Sequence, residues 1–408
     1  MQLGVIKIEN DKKFQIKELI LKKNVKKESR SSILSLRKIN WRPYAMVIAL
    51  AVIAIFFQIN TNGIFLRARN FSILMRQMSI IGIITLGMAL LIISGNFDLA
   101  AGSTVALAGG VAAVMQVWYG WNTLSSVLIG VLVGGLLGTW QGFWVAYRKI
   151  PSFIVTLGGL TMFRGIYLVI TKGITITPLT KSFTFFAQGF VPKNLGMALA
   201  IFSCLVYTVL VIQGTASKKN YGIKPDSVII MICKIVLVSG IIILTVIMMN
   251  YYLGIPIPVI IMLVIALLLN FISIKTVFGR NLYAIGGNIE AARFSGINIK
   301  KTIMIMFVIM GALCALSGIL LTGRLDGATA SAGTMFELDA IAACVIGGTS
   351  LKGGKGSISM AIIGALVMAS LDNGMSLMNI SSYAQYIIKG LVLILAVWFD
   401  VAAGQKNE

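Results

Sequence analysis

The chain has 408 residues, 58% of them hydrophobic and only 12% charged, whereas soluble globular chains carry about 25% charged residues, so a water-soluble fold is excluded. The net charge of +22 does not point to nucleic acid, because no RNA- or DNA-binding module accompanies it. Histidine is absent and the four cysteines, Cys204, Cys233, Cys314 and Cys344, are scattered through apolar runs, which removes histidine chemistry and any metal-like ligand spacing.

The apolar runs are unbroken over the length of a membrane-crossing helix, and the short alternating segments of a β-barrel are missing. An all-α polytopic membrane protein with about 10–12 transmembrane helices is therefore expected. Residues 1–42 are polar and Lys-rich, with an amphipathic piece at Phe14–Leu21. They lack the apolar core and cleavage site of a signal peptide and read as a cytoplasmic tail. The amphipathic piece either lies on the membrane surface or has no special role.

Hydrophobic spans follow at roughly 44–59, 77–94, 102–118, 124–147, 152–171, 196–213, 227–249, 256–273, 302–322, 337–349, 357–376 and 382–401. The membrane domain thus runs over 43–402, and 403–408 are expected to form a cytoplasmic C-terminus. The short spans are expected to be oblique, broken or re-entrant. With the tail inside, the even-numbered connectors are cytoplasmic and mostly basic: Arg148 and Lys149; Lys218, Lys219 and Lys224; Lys275, Arg280, Arg293, Lys300 and Lys301; Lys352 and Lys355. The outer connectors around 119–123, 250–255 and 377–381 carry no basic residue. Arg67, Arg69 and Arg76 break the rule, and their segment is expected along the interface.

No connector is long enough to fold as a soluble domain, so no nucleotide-hydrolysing domain is expected here and the chain reads as a non-enzyme. The glycine-rich stretch Gly347–Ser357 resembles a phosphate loop only superficially. Thr349 stands at the required first glycine, and Gly356 follows Lys355 where Ser or Thr should hold magnesium. A tight cytoplasmic hairpin is the better reading.

The polar, glycine-punctuated connector 279–301 is different. Asn288 is placed to cap a short helix with Glu290, Ala291 and Ala292 in its first turn and Gly296 at its end. A helix this short needs a surface to dock against, and a soluble partner is the expected one. Elsewhere, three polar groups fall where hydrocarbon makes them costly: Asn96, Asp98 and Ser103; Arg324, Asp326, Glu337 and Asp339; and Asp372 with Asn373. They either line a solute path or gate, or cap and pair to hold broken helices; for Asp98 and Asp339 the structural role is favoured. Arg164, deep in the fifth span, needs a partner or a water-filled cavity. Small residues such as Gly130, Gly134, Gly135 and Gly138, or Ala361, Gly364, Ala365 and Ala369, let helices approach closely. A weak echo links Asp98-Leu99-Ala100 and Gly109-Gly110 to Leu338-Asp339-Ala340 and Gly347-Gly348.

Five stretches in order, ISGNFDLAAGS (93–103), PSFIVTLGGLTMFRG (151–165), LYAIGGNIEAARFSGI (282–297), ELDAIAACVIGGTSLKGGKGS (337–357) and SLDNGMSLMNISSYAQYIIKGLVLILAVWFD (370–400), carry a resemblance. Together, from about Trp41 onward, they resemble the ribose/xylose/galactoside class of ATP-binding-cassette sugar importer permeases. The YRKIPSFIVTL passage and the extra apolar pair at 196–249 are similar to the xylose-type members.

The resemblance implies a type II-like importer permease in the plasma or inner membrane, with both termini cytoplasmic. It implies a partner ATPase that uses ATP and magnesium, an extracytoplasmic sugar-binding protein, and a second permease copy. No cofactor would belong to this chain, and surrounding lipid would be its other contact. The substrate would be a monosaccharide, D-xylose or a related pentose or hexose. The segment Glu290, Ala291, Ala292, Arg293, Ser295 and Gly296 would be the ATPase-coupling element, although the downstream pattern of the classical loop is absent. Asn96, Asp98, Glu337, Asp339, Asp372 and Asn373 remain the candidates for the translocation path or gate. An ion-coupled secondary sugar transporter is the alternative; it would rest on Asp98, Glu337 and Asp339 and leave the docking loop unexplained.

Overall fold

The computed structural model describes residues 42–221 and 227–405. The expected tail with its Phe14–Leu21 piece, Lys224 and residues 406–408 lie outside them. The first half builds α1 (Arg42–Asn60), α2 (Ala68–Ile93), α3 (Ala101–Val117), α4 (Thr123–Ala146) and α5 (Ser152–Thr171). A short α6 (Lys181–Gln188) and strand β1 (Phe190–Val191) follow, then α7 (Lys193–Asn220), α8 (Val228–Asn250), strand β2 (Ile255–Pro256) and α9 (Ile257–Lys275). The second half contains α10 (Val277–Gly287), α11 (Ile289–Phe294), α12 (Ile299–Leu325), α13 (Phe336–Ile346), α14 (Ile358–Leu377) and α15 (Ser382–Gln405).

All twelve apolar stretches of the sequence become helices. Among the described residues nine are long and apolar enough to cross a membrane, and Met46–Asn60 of α1 and Ala101–Val117 of α3 are shorter apolar stretches. Two boundaries differ most from expectation: α7 continues to Asn220, past the expected 213, and α2 begins early. The second span was placed from residue 77, yet α2 starts at Ala68 and takes Arg69 and Arg76 into its first turns. Hydropathy marks only the hydrocarbon part of a helix, while the backbone hydrogen bonds continue through polar residues of good helix propensity. Arg76 lies over the Phe190 ring at 4.9 Å and donates to the Gln188 carbonyl at 3.4 Å.

α2 is the central post. Ile83 through Ile93 are buried without a break, and α9, α10, α12, α13 and α14 all pack on it. By contrast, α7, α8 and α15 turn most of their Leu, Ile, Val and Phe side chains outward. Such apolar perimeters are stable only against hydrocarbon. α7 and α8 pair with each other, and the two-residue ribbon Phe190↔Pro256 and Val191↔Ile255 ties their shared end to the body.

Close backbone approach holds the first and second halves together. α12 lies against α4 where Gly134 meets the Gly311 carbonyl and Gly138 meets the Phe307 carbonyl, and against α3 where Gly318 meets the Val105 carbonyl. A Cβ at any of these glycines would collide with backbone. Gly135, one residue from Gly134, faces open space. Small residues at such crossings replace the hydrophobic driving force that lipid removes.

The tenth apolar stretch is the broken one. α13 has 11 residues and spans only about 16 Å, half of a bilayer core. The non-helical run 326–335 leads into it. It starts beside the 176–179 segment, through the Ile176–Ala328 bridge, and reaches Gly102 near the start of α3, where Gly333 and Gly102 touch. Irregular backbone is tolerated at membrane depth only when protein satisfies it, and here protein does: Tyr167 donates to the Thr329 carbonyl at 2.7 Å, and Arg164 to those of Ala332 at 2.8 Å and Ala330 at 3.3 Å.

Candidate functional site

The connector between α9 and α12 is built by local capping. Thr276 ends α9 and caps α10 at once, its hydroxyl accepting from the Gly279 N–H at 3.2 Å, so the chain turns a sharp corner. Asn288 then caps α11, its Oδ1 accepting from the N–H groups of Glu290 and Ala291, both at 3.0 Å. Gly296 has φ +78°. Around it the Gly296 N–H reaches the Arg293 carbonyl at 3.0 Å and the Ile297 N–H the Ala292 carbonyl at 3.2 Å. This is a Schellman end, with glycine in the left-handed conformation it tolerates best. Two turns of helix are thus fixed at both ends by residues the helix itself could not supply.

α11 buries Ala292 and presents the rest. Glu290 and Arg293 form an exposed i,i+3 ion pair at 3.1 Å, Ser295 donates to the Ala291 carbonyl at 2.9 Å, and Ala291 is exposed. Phe294, absent from the sequence-based set, is 87% exposed. A large aromatic beside a charged pair on a capped helix is an anchor in search of a pocket. Its signal in the sequence was present but unused: one phenylalanine in an otherwise polar, glycine-rich connector.

α10 and the glycine-rich turn link this helix to the core. Gly286 of α10 sits on the Ile93 carbonyl at the end of α2, and Gly353 lies against Gly286 and Gly95. The Gly354 N–H donates to the same Ile93 carbonyl at 2.8 Å, and the Tyr283 hydroxyl donates to the Gly356 carbonyl at 3.0 Å. The stretch that mimics a phosphate loop is therefore a turn that clamps α10 to α2 and leads into α14. α11 is thus joined through α10 to the end of α2 and to the turn before α14, and it packs on α12.

The buried polar residues fall into three separate places. Asn96 lies in the α2–α3 break at the same end as α11 and donates to Ser94, at 3.3 Å to its carbonyl and 3.2 Å to its hydroxyl. Asp98 is fully buried. Its Oδ1 accepts from the Ala100 N–H at 2.9 Å and from Gln141 Nε2 at 3.0 Å, which steadies the start of α3 against α4. Ser103 donates to the Leu160 carbonyl at 2.7 Å. Glu337, in the first turn of α13, packs its carboxylate against Gly102 at the start of α3. Asp326 binds the Leu179 N–H at 3.1 Å.

Asp339 and Asp372 are brought together by a residue that the sequence reading passed over. Lys389 of α15 lies 2.9 Å from Asp339 and 2.8 Å from Asp372. A lone lysine inside an apolar span, facing two carboxylates on other spans, was the available sign. Asn373 joins α14 to α2 instead, exchanging hydrogen bonds with Asn70 at 2.8 and 3.2 Å and donating to Gln77 at 3.4 Å. Among the described residues, Asn96, Asp339 and Asp372 border three different cavities.

Comparison with known proteins follows the same outline. A family model described as "Branched-chain amino acid transport system / permease component" matches residues 70–397. The Xylose transport system permease protein XylH of Escherichia coli (strain K12) is 42% identical over 372 residues, 91% of this chain and 95% of the relative. XylH of Haemophilus influenzae is 43% identical over 371 residues, 91% of this chain and 99% of the relative. The Ribose import permease protein RbsC of Bacillus subtilis is 37% identical over 339 residues, 83% of this chain and 87% of the relative. No solved structure matches the chain.

Proposed function

The chain belongs to the family of branched-chain amino acid transport system permease components, and from that premise we propose that it is the membrane-spanning subunit of an ATP-binding-cassette importer for a monosaccharide, D-xylose or a related sugar. The observation that carries the sugar is the 42–43% identity to relatives named for xylose, sustained over nine tenths of both chains. The ribose-named relative is less similar and matches a shorter stretch.

In this reading the basic end of the molecule faces the cytoplasm, with both termini there, and α11 seats in a cleft of a partner ATPase. ATP and magnesium are handled by that partner, and a separate extracytoplasmic protein delivers the sugar. Two permease copies pair over two ATPase subunits; light scattering of the assembled complex giving one permease per ATPase pair would overturn that count. Closure of the motor moves α11 through Phe294 and the Glu290–Arg293 pair. The corner at Thr276, the Gly286–Ile93 contact and the direct run into α12 transmit that movement. Alternation of access is then a shift between two packings of the same helices.

The ion-coupled alternative draws no support from the carboxylates it needs. Asp98 holds the start of α3, Glu337 packs against Gly102, and Asp339 shares Lys389 with Asp372.

The test is xylose uptake into proteoliposomes carrying this chain with its ATPase and binding protein. Uptake should require ATP and fall at least tenfold in Glu290→Ala/Gly296→Asp while insertion is unchanged. Uptake driven by an ion gradient without ATPase, and untouched by the double variant, would overturn the assignment.

A further inference from the structure

The YRKIPSF passage between α4 and α5 has no role in the coupling route, yet it forms one wall of a cavity of about 690 Å³. The other walls are the start of the α2–α3 break, α11, and the first turn of α12. Three basic side chains border it, Lys149, Lys300 and the Glu290-paired Arg293, and no carboxylate is in its lining. Its floor is apolar, with Val145, Ile150, Ile289, Ile297 and Ile303. The polar atoms come from Ser152, Asn96 and Asn298.

Lys149 stands in the left-handed region, at φ +59°, which is costly for a non-glycine residue. A glycine would make the same turn without that cost. Keeping a lysine there, at the mouth of a cavity, favours its charge over an easy turn. The N-terminus of the 20-residue α5 opens onto the same space, and Pro151 offers no side-chain acceptor to its first N–H groups. Those N–H groups add to the anion-attracting field of the cations. Trp144 and Tyr147 lie at this end of α4, with Lys300 5.9 Å from the Tyr147 ring. Aromatic side chains of this kind mark the headgroup level of a bilayer.

We propose that this cavity binds a phosphate-bearing anion with an apolar tail, the headgroup of an anionic glycerophospholipid from the adjoining leaflet. The phosphate sits among Lys149, Lys300 and the start of α5, and the glycerol and first methylenes rest on the isoleucine floor. Because Arg293 and Ile289 belong to α11, an occupied cavity braces the docking helix from behind. The binding claim stands on the chain alone and does not rest on the transport reading.

The detergent-solubilised full chain is titrated with short-chain phosphatidylglycerol, the matching phosphatidylcholine and glycerol 3-phosphate, and bound ligand is counted by native mass spectrometry. Phosphatidylglycerol should bind saturably, one per chain, and Lys149→Gly/Lys300→Gln should weaken it at least tenfold. Lys149→Gly suits the local backbone, so lost folding does not explain such a loss, and Lys149→Arg/Lys300→Arg should retain binding. Phosphatidylglycerol binding far more tightly than glycerol 3-phosphate marks the membrane as the source. Equal binding of the two assigns the site to a soluble phosphate ester and keeps the phosphate chemistry. Phosphatidylcholine binding as tightly as phosphatidylglycerol, or phosphatidylglycerol binding that ignores the double variant, overturns the proposal.

Discussion

The ammonium of Lys389 lies 2.9 Å from the carboxylate of Asp339, fifty residues away on a different helix. Asp339 is almost completely buried and Lys389 mostly so. Removing the lysine leaves Asp339 and Asp372 as two uncompensated charges, and breaking such a buried pair costs about 3–5 kcal/mol. Lys389→Met should therefore lower the thermal midpoint in detergent sharply. The triple variant Lys389→Met/Asp339→Asn/Asp372→Asn should recover most of the loss, as measured by fluorescence-detected unfolding.

Two adjacent glycines give a sharper contrast. Gly134 abuts the Gly311 carbonyl and Gly135 faces open space. Gly134→Val should cost at least the 1–3 kcal/mol typical of overpacking and reduce the yield of folded protein. Gly135→Val should be within about 0.5 kcal/mol of the parent, as for other surface changes. Comparable size-exclusion profiles for both variants would contradict the α4–α12 crossing.

Phe294 is nearly all exposed and makes no core contact that would hold the fold. Phe294→Ala should leave unfolding within about 0.5 kcal/mol but lower ATP-dependent uptake several-fold in the reconstituted system. Asn288→Ala removes the acceptor of two N–H groups and should cost about 0.5–2 kcal/mol locally, with Asn288→Asp restoring uptake. Unchanged uptake in both alanine variants would show that α11 is not the coupling element.

Arg164 supplies hydrogen bonds to two carbonyls of the 326–335 run. Arg164→Met should leave them unsatisfied at about 1–3 kcal/mol and loosen that run first. Faster cysteine labelling at Ala330→Cys in the Arg164→Met background than in the parent would report it.

Much of the connector between α9 and α12 was legible from the chain itself. The cap at Asn288, the end at Gly296 and the charged pair between them depend on contacts two to five residues apart, and the side chains that make them are read in order. The twelve apolar stretches were legible for a similar reason, since a bilayer core imposes a minimum length on any helix that crosses it. The start of α2 was not, because hydropathy ends where the hydrocarbon does and the helix does not.

What the sequence by itself determined is the class of molecule, the twelve apolar spans, the short tenth span and the capped connector, because solvent and local hydrogen bonding dictate each of them. Only the tertiary structure decided the partners of the charges inside the helix bundle, Asp339 with Lys389 and Arg164 with the carbonyls of Ala330 and Ala332, and the gathering of the exposed Lys149, Arg293 and Lys300 around one cavity. Those pairings join residues up to 168 positions apart. A buried charge requires a partner, but nothing local says which of several distant groups will provide it; that is set by which helix faces meet when the backbone packs.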